Sequence, residues 1–198
     1  MTTQQVTIVD DFFNLEWQSR MKKFWNVQTH APIWFTNHDY FPKHLVSGIG
    51  IISVSMLPPP IDTEIKDYMI ERGIFKRDPK FFSGLLYQGR PMSFTHWHRD
   101  DRVDFQPSIV RSGMSIYLND IWEEHWGGWF CWKENEADTT GHMIIPKYNR
   151  AVILSDDVLH STTCVSTAVP EPRYSLQLFF ERDALADEYQ YNRLHTSS

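Results

Sequence analysis

The sequence has 198 residues, 41% of them hydrophobic and 22% charged, a composition typical of one soluble globular domain with a sizeable core. The formal net charge of −6 gives no electrostatic basis for binding nucleic acid or an anionic membrane surface, so neither partner is expected. Two cysteines are too few for a disulfide framework, and the sequence starts without the pattern of a signal peptide. Since no apolar run approaches the roughly 18–20 residues of a membrane span, a cytoplasmic protein is predicted.

The first 80 residues predict a mixed region of strands and helices that supports the rest of the domain. Asp11 is a candidate N-cap for the first helix, and Gly73 is a stop signal for the second. Aromatic and Met side chains recur at helical spacing along the first helix and predict its packing face: Phe13, Trp17, Met21 and Phe24. The predicted elements are strands over 5–9 and 48–56 and helices over 14–25 and 62–72.

From residue 81 the sequence changes to short apolar runs separated by turn signals. Such a series predicts an antiparallel β-barrel or sandwich, with the N-terminal helices packed on one sheet. A polar tail over 183–198 predicts a short helix at most. The predicted strands cover 84–88, 92–97, 112–118, 128–132, 142–146, 151–155, 160–165 and 174–180.

A His-x-Asp triplet at His98 and Asp100 is the strongest candidate for chemistry. On an extended strand, residues two apart point to the same face, so an imidazole and a carboxylate can meet at one point. His160 follows an apolar strand and an acidic turn, which makes it the candidate third ligand. Two histidines and one carboxylate form the facial site of non-haem Fe(II), with three positions open.

Arg173 and Ser175 open the last predicted strand, and period-two geometry places them on one face. A guanidinium fork beside a hydroxyl is well shaped to hold a carboxylate. The sequence therefore predicts an anion site in the same domain as the metal triplet.

These features together resemble the 2-oxoglutarate- and Fe(II)-dependent dioxygenases, in particular the prolyl hydroxylase-like branch. The resemblance covers roughly residues 81–181 and rests on the order of its motifs. The matching segments are a strand with Tyr87-Gln88-Gly89, the triplet His98-Arg99-Asp100, Tyr117-Leu118-Asn119, Gly127-Gly128, the stretch from Pro146 to Leu154, His160, and Arg173-Tyr174-Ser175.

The resemblance implies a mainly β fold with flanking helices: a double-stranded β-helix, or jelly-roll, related to cupin barrels. One catalytic domain would span 1–198, with a support region over 1–80 and the jelly-roll core over 81–182. Fe(II) would be held by His98, Asp100 and His160. The 5-carboxylate of 2-oxoglutarate would be held by Arg173 and Ser175, with Tyr87 as a further contact.

The implied reaction couples O2 and 2-oxoglutarate to the hydroxylation of a C–H bond, with succinate and CO2 as co-products; ascorbate is an additional candidate cofactor. The substrate would be an amino acid, a peptidyl residue such as proline, or a small natural product. Related halogenases lack the carboxylate ligand, so Asp100 favours hydroxylation. The sequence departs from some relatives, which place a second Tyr as a further cosubstrate contact where this chain has Ile116.

Two alternatives stay open at the level of sequence. A cupin-type metal protein would use His96, His98 and His160, because on a straight strand His96 shares a face with His98. A non-catalytic jelly-roll module would hold zinc or a vestigial site. Arg173-x-Ser175 favours the dioxygenase, since neither alternative needs a carboxylate clamp. The predicted substrate rim comprises 30–45 and 101–111, and the oligomeric state is not predicted.

Overall fold

The structure is a computed structural model, and it describes residues 6–28, 35–36, 52–100, 111–155 and 158–190. The predicted substrate rim lies outside these residues except for 35–36 and Arg111. No helix in the described part of the chain combines the length and apolar character needed to cross a membrane.

Eleven strands and three α-helices are formed by the described residues. The helices are α1 (Leu15–Gln28), α2 (Ile61–Glu71) and α3 (Asp187–Gln190). The strands are β1 (Val6–Val9), β2 (Phe35–Thr36), β3 (Ile52–Met56), β4 (Phe82–Gly89), β5 (Thr95–His98), β6 (Arg111–Tyr117), β7 (Phe130–Lys133), β8 (His142–Ile144), β9 (Ala151–Ser155), β10 (Leu159–Thr162) and β11 (Arg173–Glu181).

The strands form two antiparallel sheets. The major sheet has seven strands in the order β1-β9-β6-β11-β4-β3-β2, and the minor sheet has four in the order β5-β10-β7-β8. Neighbours in a sheet are mostly distant in sequence, as in a jelly-roll, where the chain passes repeatedly between two sheets. The predicted fold, mainly β with flanking helices, is confirmed.

Side-chain alternation along the strands divides the apolar residues between two cores. On β11, Leu176, Leu178 and Phe180 are fully buried in the core that the major sheet shares with α1 and α2. The intervening residues, beginning with Arg173 and Ser175, point to the opposite face, between the two sheets. A smaller core fills part of that interior: Val6, Tyr117, Phe130, Val152, Leu154 and Val158. The interior of the jelly-roll is thus apolar in one part and polar in another.

Two local predictions are wrong. Asp11 does not cap α1: its φ is +53°, and the amide of Trp17 instead donates to Asn14 Oδ1 at 2.9 Å. Asn14 is the residue directly before the helix, so its side chain reaches the third helical N–H, as an N-cap does. The strand predicted from Met92 begins only at Thr95, because Met92 lies in a turn with φ of +69°.

Asn149 joins the start of α1 to the turn before β9. It is buried, its Oδ1 accepts from the Phe13 amide at 2.9 Å, and its Nδ2 donates to the Phe13 carbonyl at 2.9 Å. Its φ of +60° is a conformation that Asn and Gly adopt more readily than Ala.

We therefore expect Asn149→Ala to lower the free energy of unfolding by about 2–4 kcal/mol, because the Phe13 amide loses its partner, the Phe13 carbonyl keeps only the Gln18 side chain, and the backbone is strained. Urea denaturation followed by tryptophan fluorescence measures this loss. Asn149→Gly is the control: it removes the same hydrogen bonds without the strain, so it should be less destabilising than Ala. Equal values for the two variants would contradict the contribution of backbone conformation.

Candidate functional site

His98 and His160 lie directly opposite each other on neighbouring strands of the minor sheet. They are register partners in the antiparallel β5–β10 pair, and their ring centroids are 4.3 Å apart. The register shifts between His160 and Thr162, so the two strands do not continue as a regular ladder. A long-range strand pairing therefore brings together two histidines that are far apart in the sequence.

Asp100 completes the cluster from just beyond the end of β5. Its Oδ1 lies 3.6 Å from His98 Nε2 and 3.8 Å from His160 Nε2. One ligand atom from each of the three residues falls within 4.8 Å of the others. The sequence predicts that Asp100 lies on an extended strand together with His98, but β5 ends at His98. The Asp100 carboxylate approaches the two imidazoles from the segment that follows β5.

Both imidazoles are oriented by the backbone. His98 Nδ1 lies 2.7 Å from the carbonyl oxygen of His96, and His160 Nδ1 lies 2.9 Å from that of Val158. A carbonyl only accepts, so each Nδ1 carries the proton and each Nε2 keeps its lone pair free for a metal. Burial, and next the neighbouring His160, lower the pKa of His98, which favours the neutral imidazole that a metal needs.

The side chain of His96 does not join those of His98 and Asp100, as it would on a straight strand. Its side chain is exposed and packs edge-on against Phe94 at 5.3 Å between ring centroids. The cluster of potential metal ligands found in the described part of the chain contains His98, Asp100 and His160, without His96. His96 contributes its backbone carbonyl, which orients His98.

Gly113 on β6 provides the space for the Asp100 carboxylate. A Cβ atom at residue 113 would lie 3.2 Å from Asp100 Oδ2, which is closer than ordinary van der Waals contact. The other contact of such a Cβ, with Leu154 Cδ2 at 3.6 Å, is an ordinary one. A side chain at this position would therefore act mainly on the carboxylate.

We expect Gly113→Ala to shift Asp100 by a few tenths of an ångström and to weaken Fe(II) binding by about 10–100-fold, the usual cost of disturbing the support of a metal ligand. Competition with a chromogenic chelator under anaerobic conditions measures the affinity. The unfolding temperature of the metal-free protein serves as the control and should not fall. Unchanged Fe(II) affinity would contradict the role of this contact.

Arg173 is a buried cation with an incomplete set of partners. Its side chain is on β11 and the residue is 6% exposed. Among the described residues, its Nε has no hydrogen-bond partner, and its Nη1 donates only to the carbonyl of Gly128 at 3.4 Å. Burial lowers the pKa of Arg173, because a desolvated guanidinium is costly to keep charged. An anionic ligand would stabilise such a buried, incompletely paired cation.

Tyr117 is a candidate site residue, which the sequence shows only as part of the Tyr-Leu-Asn motif. It is fully buried, its hydroxyl has no partner among the described residues, and burial raises its pKa to about 12. The Arg173 guanidinium lies 5.9 Å from its ring centroid. Ile116, where some relatives have a second Tyr, lies in the core on the other face of the sheet. Residues two apart on a strand share a face, so Ser115 and Tyr117 lie on the face opposite Ile116. This alternation is the signal that could have identified Tyr117.

Ser175 lies between two tyrosines on the interior face. It is the register partner of Tyr87 on β4 and of Tyr117 on β6, and it is fully buried. Arg173 is two residues away on the same face. These side chains present an unpaired guanidinium N–H and an unpaired phenol hydroxyl to one region, which fits a carboxylate group.

Asn119 and Gly128 hold Arg173 in place. The Asn119 side chain binds the backbone on both sides of Arg173. Its Oδ1 accepts from the Tyr174 amide at 2.7 Å, and its Nδ2 donates to the Pro172 carbonyl at 2.9 Å. Gly128, with φ of +66°, lets the backbone approach the arginine stem, since a Cβ there would lie 2.8 Å from Arg173 Cδ. The Tyr-Leu-Asn and Gly-Gly segments of the sequence thus both pack around the guanidinium.

A jelly-roll with two histidines and a carboxylate at one point, and a buried arginine on the facing sheet, defines the class of mononuclear non-haem iron oxygenases. Residues 84–181 match the family model of the 2OG-Fe(II) oxygenase superfamily. The chain belongs to this superfamily: it is a 2-oxoglutarate-dependent dioxygenase whose cofactors are Fe(II), 2-oxoglutarate and O2. No curated protein has significant sequence similarity to this chain.

Solved structures share the fold at low sequence identity. A prolyl-4-hydroxylase from Pseudomonas putida has a TM-score of 0.66 and 15% identity, over 89% of this chain and 92% of that one. A prolyl hydroxylase from Trichoplax adhaerens, in complex with a hypoxia inducible factor peptide fragment, has a TM-score of 0.67 and 12% identity, over 90% and 84%. HygX from Streptomyces hygroscopicus, with nickel, 2-oxoglutarate and hygromycin B bound, has a TM-score of 0.61 and 11% identity, over 91% and 83%.

Proposed function

We propose that this protein hydroxylates a C–H bond of an amino acid, a peptidyl residue such as proline, or a small natural product. Fe(II) would be held by His98, Asp100 and His160, and the 5-carboxylate of 2-oxoglutarate by Arg173 and Ser175. The observation that carries the proposal is the buried Arg173, whose Nε has no partner in the described part of the chain and which lies on the sheet facing the three potential metal ligands. A dicarboxylate that binds a metal at one end satisfies both groups.

The bound iron and 2-oxoglutarate supply the oxidising chemistry, in which O2 is reduced, 2-oxoglutarate becomes succinate and CO2, and the substrate gains a hydroxyl group. The protein's own groups bind and orient. His96 and Val158 carbonyls hold the two imidazoles with Nε2 available. Tyr117 and Tyr87 flank Ser175 and, in this proposal, bind the cosubstrate together with Arg173.

Two points support hydroxylation and the proposed range of substrates. Asp100 lies within reach of both imidazoles, so it is placed to fill the ligand position that a halide would need in halogenation. Among proteins of this fold, one was solved with a peptide fragment and another with hygromycin B. A peptide and a small natural product are therefore both substrates to be tested.

Turnover of 2-oxoglutarate to succinate by the Fe(II)-loaded protein tests the proposal. A screen over free amino acids, proline-containing peptides and amine-bearing natural products should find a substrate that accelerates succinate formation and gains one oxygen atom by mass spectrometry. Zinc-loaded protein is the matched control and should be inactive. A protein that binds neither Fe(II) nor 2-oxoglutarate, or that retains stoichiometric zinc which iron cannot displace, would contradict the proposal.

A further inference from the structure

A chain of hydrogen bonds between three polar side chains runs along the interior face of the major sheet. Ser115 Oγ donates to Gln177 Oε1 at 2.6 Å, and Gln177 Nε2 donates to Ser175 Oγ at 3.0 Å. Ser115 and Gln177 are register partners on β6 and β11, and Ser175 is two residues away from Gln177 on the same face. The chain ends beside Arg173.

The direction of this chain decides what Ser175 offers to a ligand. A serine hydroxyl has one proton, and Ser115 gives its proton to Gln177 Oε1. The amide oxygen faces Ser115 and the amide nitrogen faces Ser175, whose oxygen accepts the N–H. The proton of Ser175 is then left for another acceptor. With the amide reversed, Ser175 would donate to Gln177 and would present only lone pairs, which repel a carboxylate.

We propose that Ser115 and Gln177 are positioning residues that hold Ser175 as a hydrogen-bond donor to the 5-carboxylate of 2-oxoglutarate. This inference rests on the proposed function, which places that carboxylate at Arg173 and Ser175. Ser175 is fully buried and Ser115 is 7% exposed, so bulk water has little access to the chain of hydrogen bonds. A donor already aligned binds an anion without reorganising when the ligand arrives.

The test is the dissociation constant of 2-oxoglutarate, measured by equilibrium dialysis against the anaerobic, Mn(II)-loaded protein. Ser175→Ala should weaken binding by about tenfold or more, the loss of one hydrogen bond to a charged group. Ser115→Ala should weaken it by about three- to tenfold although Ser115 does not touch the cosubstrate. Ser115→Thr keeps the hydroxyl and should restore an affinity close to that of the wild type.

Gln177→Glu gives the sharpest contrast because it changes the chain with little change of shape. A carboxylate at 177 accepts protons from both Ser115 and Ser175, so Ser175 can no longer donate to the ligand. The same carboxylate adds a negative charge beside the anion site. We expect this variant to bind 2-oxoglutarate more weakly than Ser175→Ala does.

Two further measurements separate this role from a merely structural one. 2-Oxopentanoate lacks the 5-carboxylate, so its dissociation constant should be the same in all these variants. The double variant Ser115→Ala, Ser175→Ala should bind 2-oxoglutarate no more weakly than Ser175→Ala alone, because Ser115 acts only through Ser175. Thermal unfolding shows that each variant is folded before binding is measured.

Wild-type affinity in Ser115→Ala, additive losses in the double variant, or equal losses for both keto acids would each overturn this inference. These outcomes leave the proposed function intact, because the wild type still binds 2-oxoglutarate. Failure of the wild type to bind 2-oxoglutarate would instead contradict the proposed function itself. The two failures are therefore distinguished by the wild-type measurement.

Discussion

Asp100→Ala should abolish both Fe(II) retention and 2-oxoglutarate turnover, whereas His96→Ala should leave both close to the wild-type values. Asp100 Oδ1 lies within 4 Å of the Nε2 atoms of His98 and His160, so its removal takes away one of the three proposed ligands. His96 acts on His98 through its backbone carbonyl, which alanine retains. Iron content after anaerobic loading and dialysis, together with succinate formation, measures the two effects.

The His96 variant is the matched control because it changes a neighbouring side chain, on the strand that precedes Asp100. The cupin-type alternative, with His96, His98 and His160 as ligands, predicts the opposite pair of results. Loss of iron in His96→Ala with retention in Asp100→Ala would therefore contradict the proposed ligand set. Asp100→Ala can be checked for correct folding by its thermal unfolding without metal.

Arg173→Met should weaken 2-oxoglutarate binding at least about a hundredfold and at the same time stabilise the ligand-free protein. The loss of affinity reflects the removal of charge-assisted hydrogen bonds to the carboxylate, each worth roughly 1.5–3 kcal/mol. The gain in stability has the opposite cause: a desolvated guanidinium with an unpaired Nε is replaced by an apolar side chain of similar length. We expect a gain of about 1–4 kcal/mol in the free energy of unfolding.

Urea denaturation with and without 2-oxoglutarate measures both effects, since a ligand that binds the folded state raises its stability. The wild type should be stabilised by the ligand and Arg173→Met should not. Arg72→Met makes the same chemical change at an exposed position and should alter neither quantity. An Arg173→Met protein that is less stable than the wild type without ligand would show that the guanidinium is already satisfied in the free protein.

The sequence was informative about the site wherever a local pattern was sufficient. Period-two alternation placed Arg173 and Ser175 on one strand face, and the structure has them on the interior of β11. Alternation also explains why Ile116 and Tyr117 have different surroundings, although the sequence argument did not assign Tyr117 to the site. The role of each side chain in binding remains a prediction.

Local patterns were misleading where the chain leaves regular geometry. On a straight strand, the side chains of His96 and Asp100 would share a face with His98, but β5 ends at His98 and pairs irregularly with β10. The Asp11 side chain is of a type that caps helices, but the backbone at Asp11 has positive φ and Asn14 caps α1 instead. Neither irregularity is encoded in a short sequence window.

The sequence by itself determined the residue types of the site and the alternation that gives each strand an apolar face and a polar face, because both depend on nearest neighbours along the chain. Only the tertiary structure decided that His98 lies opposite His160, that Gly113 leaves room for Asp100, and that Arg173 is buried without a full set of partners. These facts depend on which strands pair and in which register. That choice is made by the packing of the whole domain.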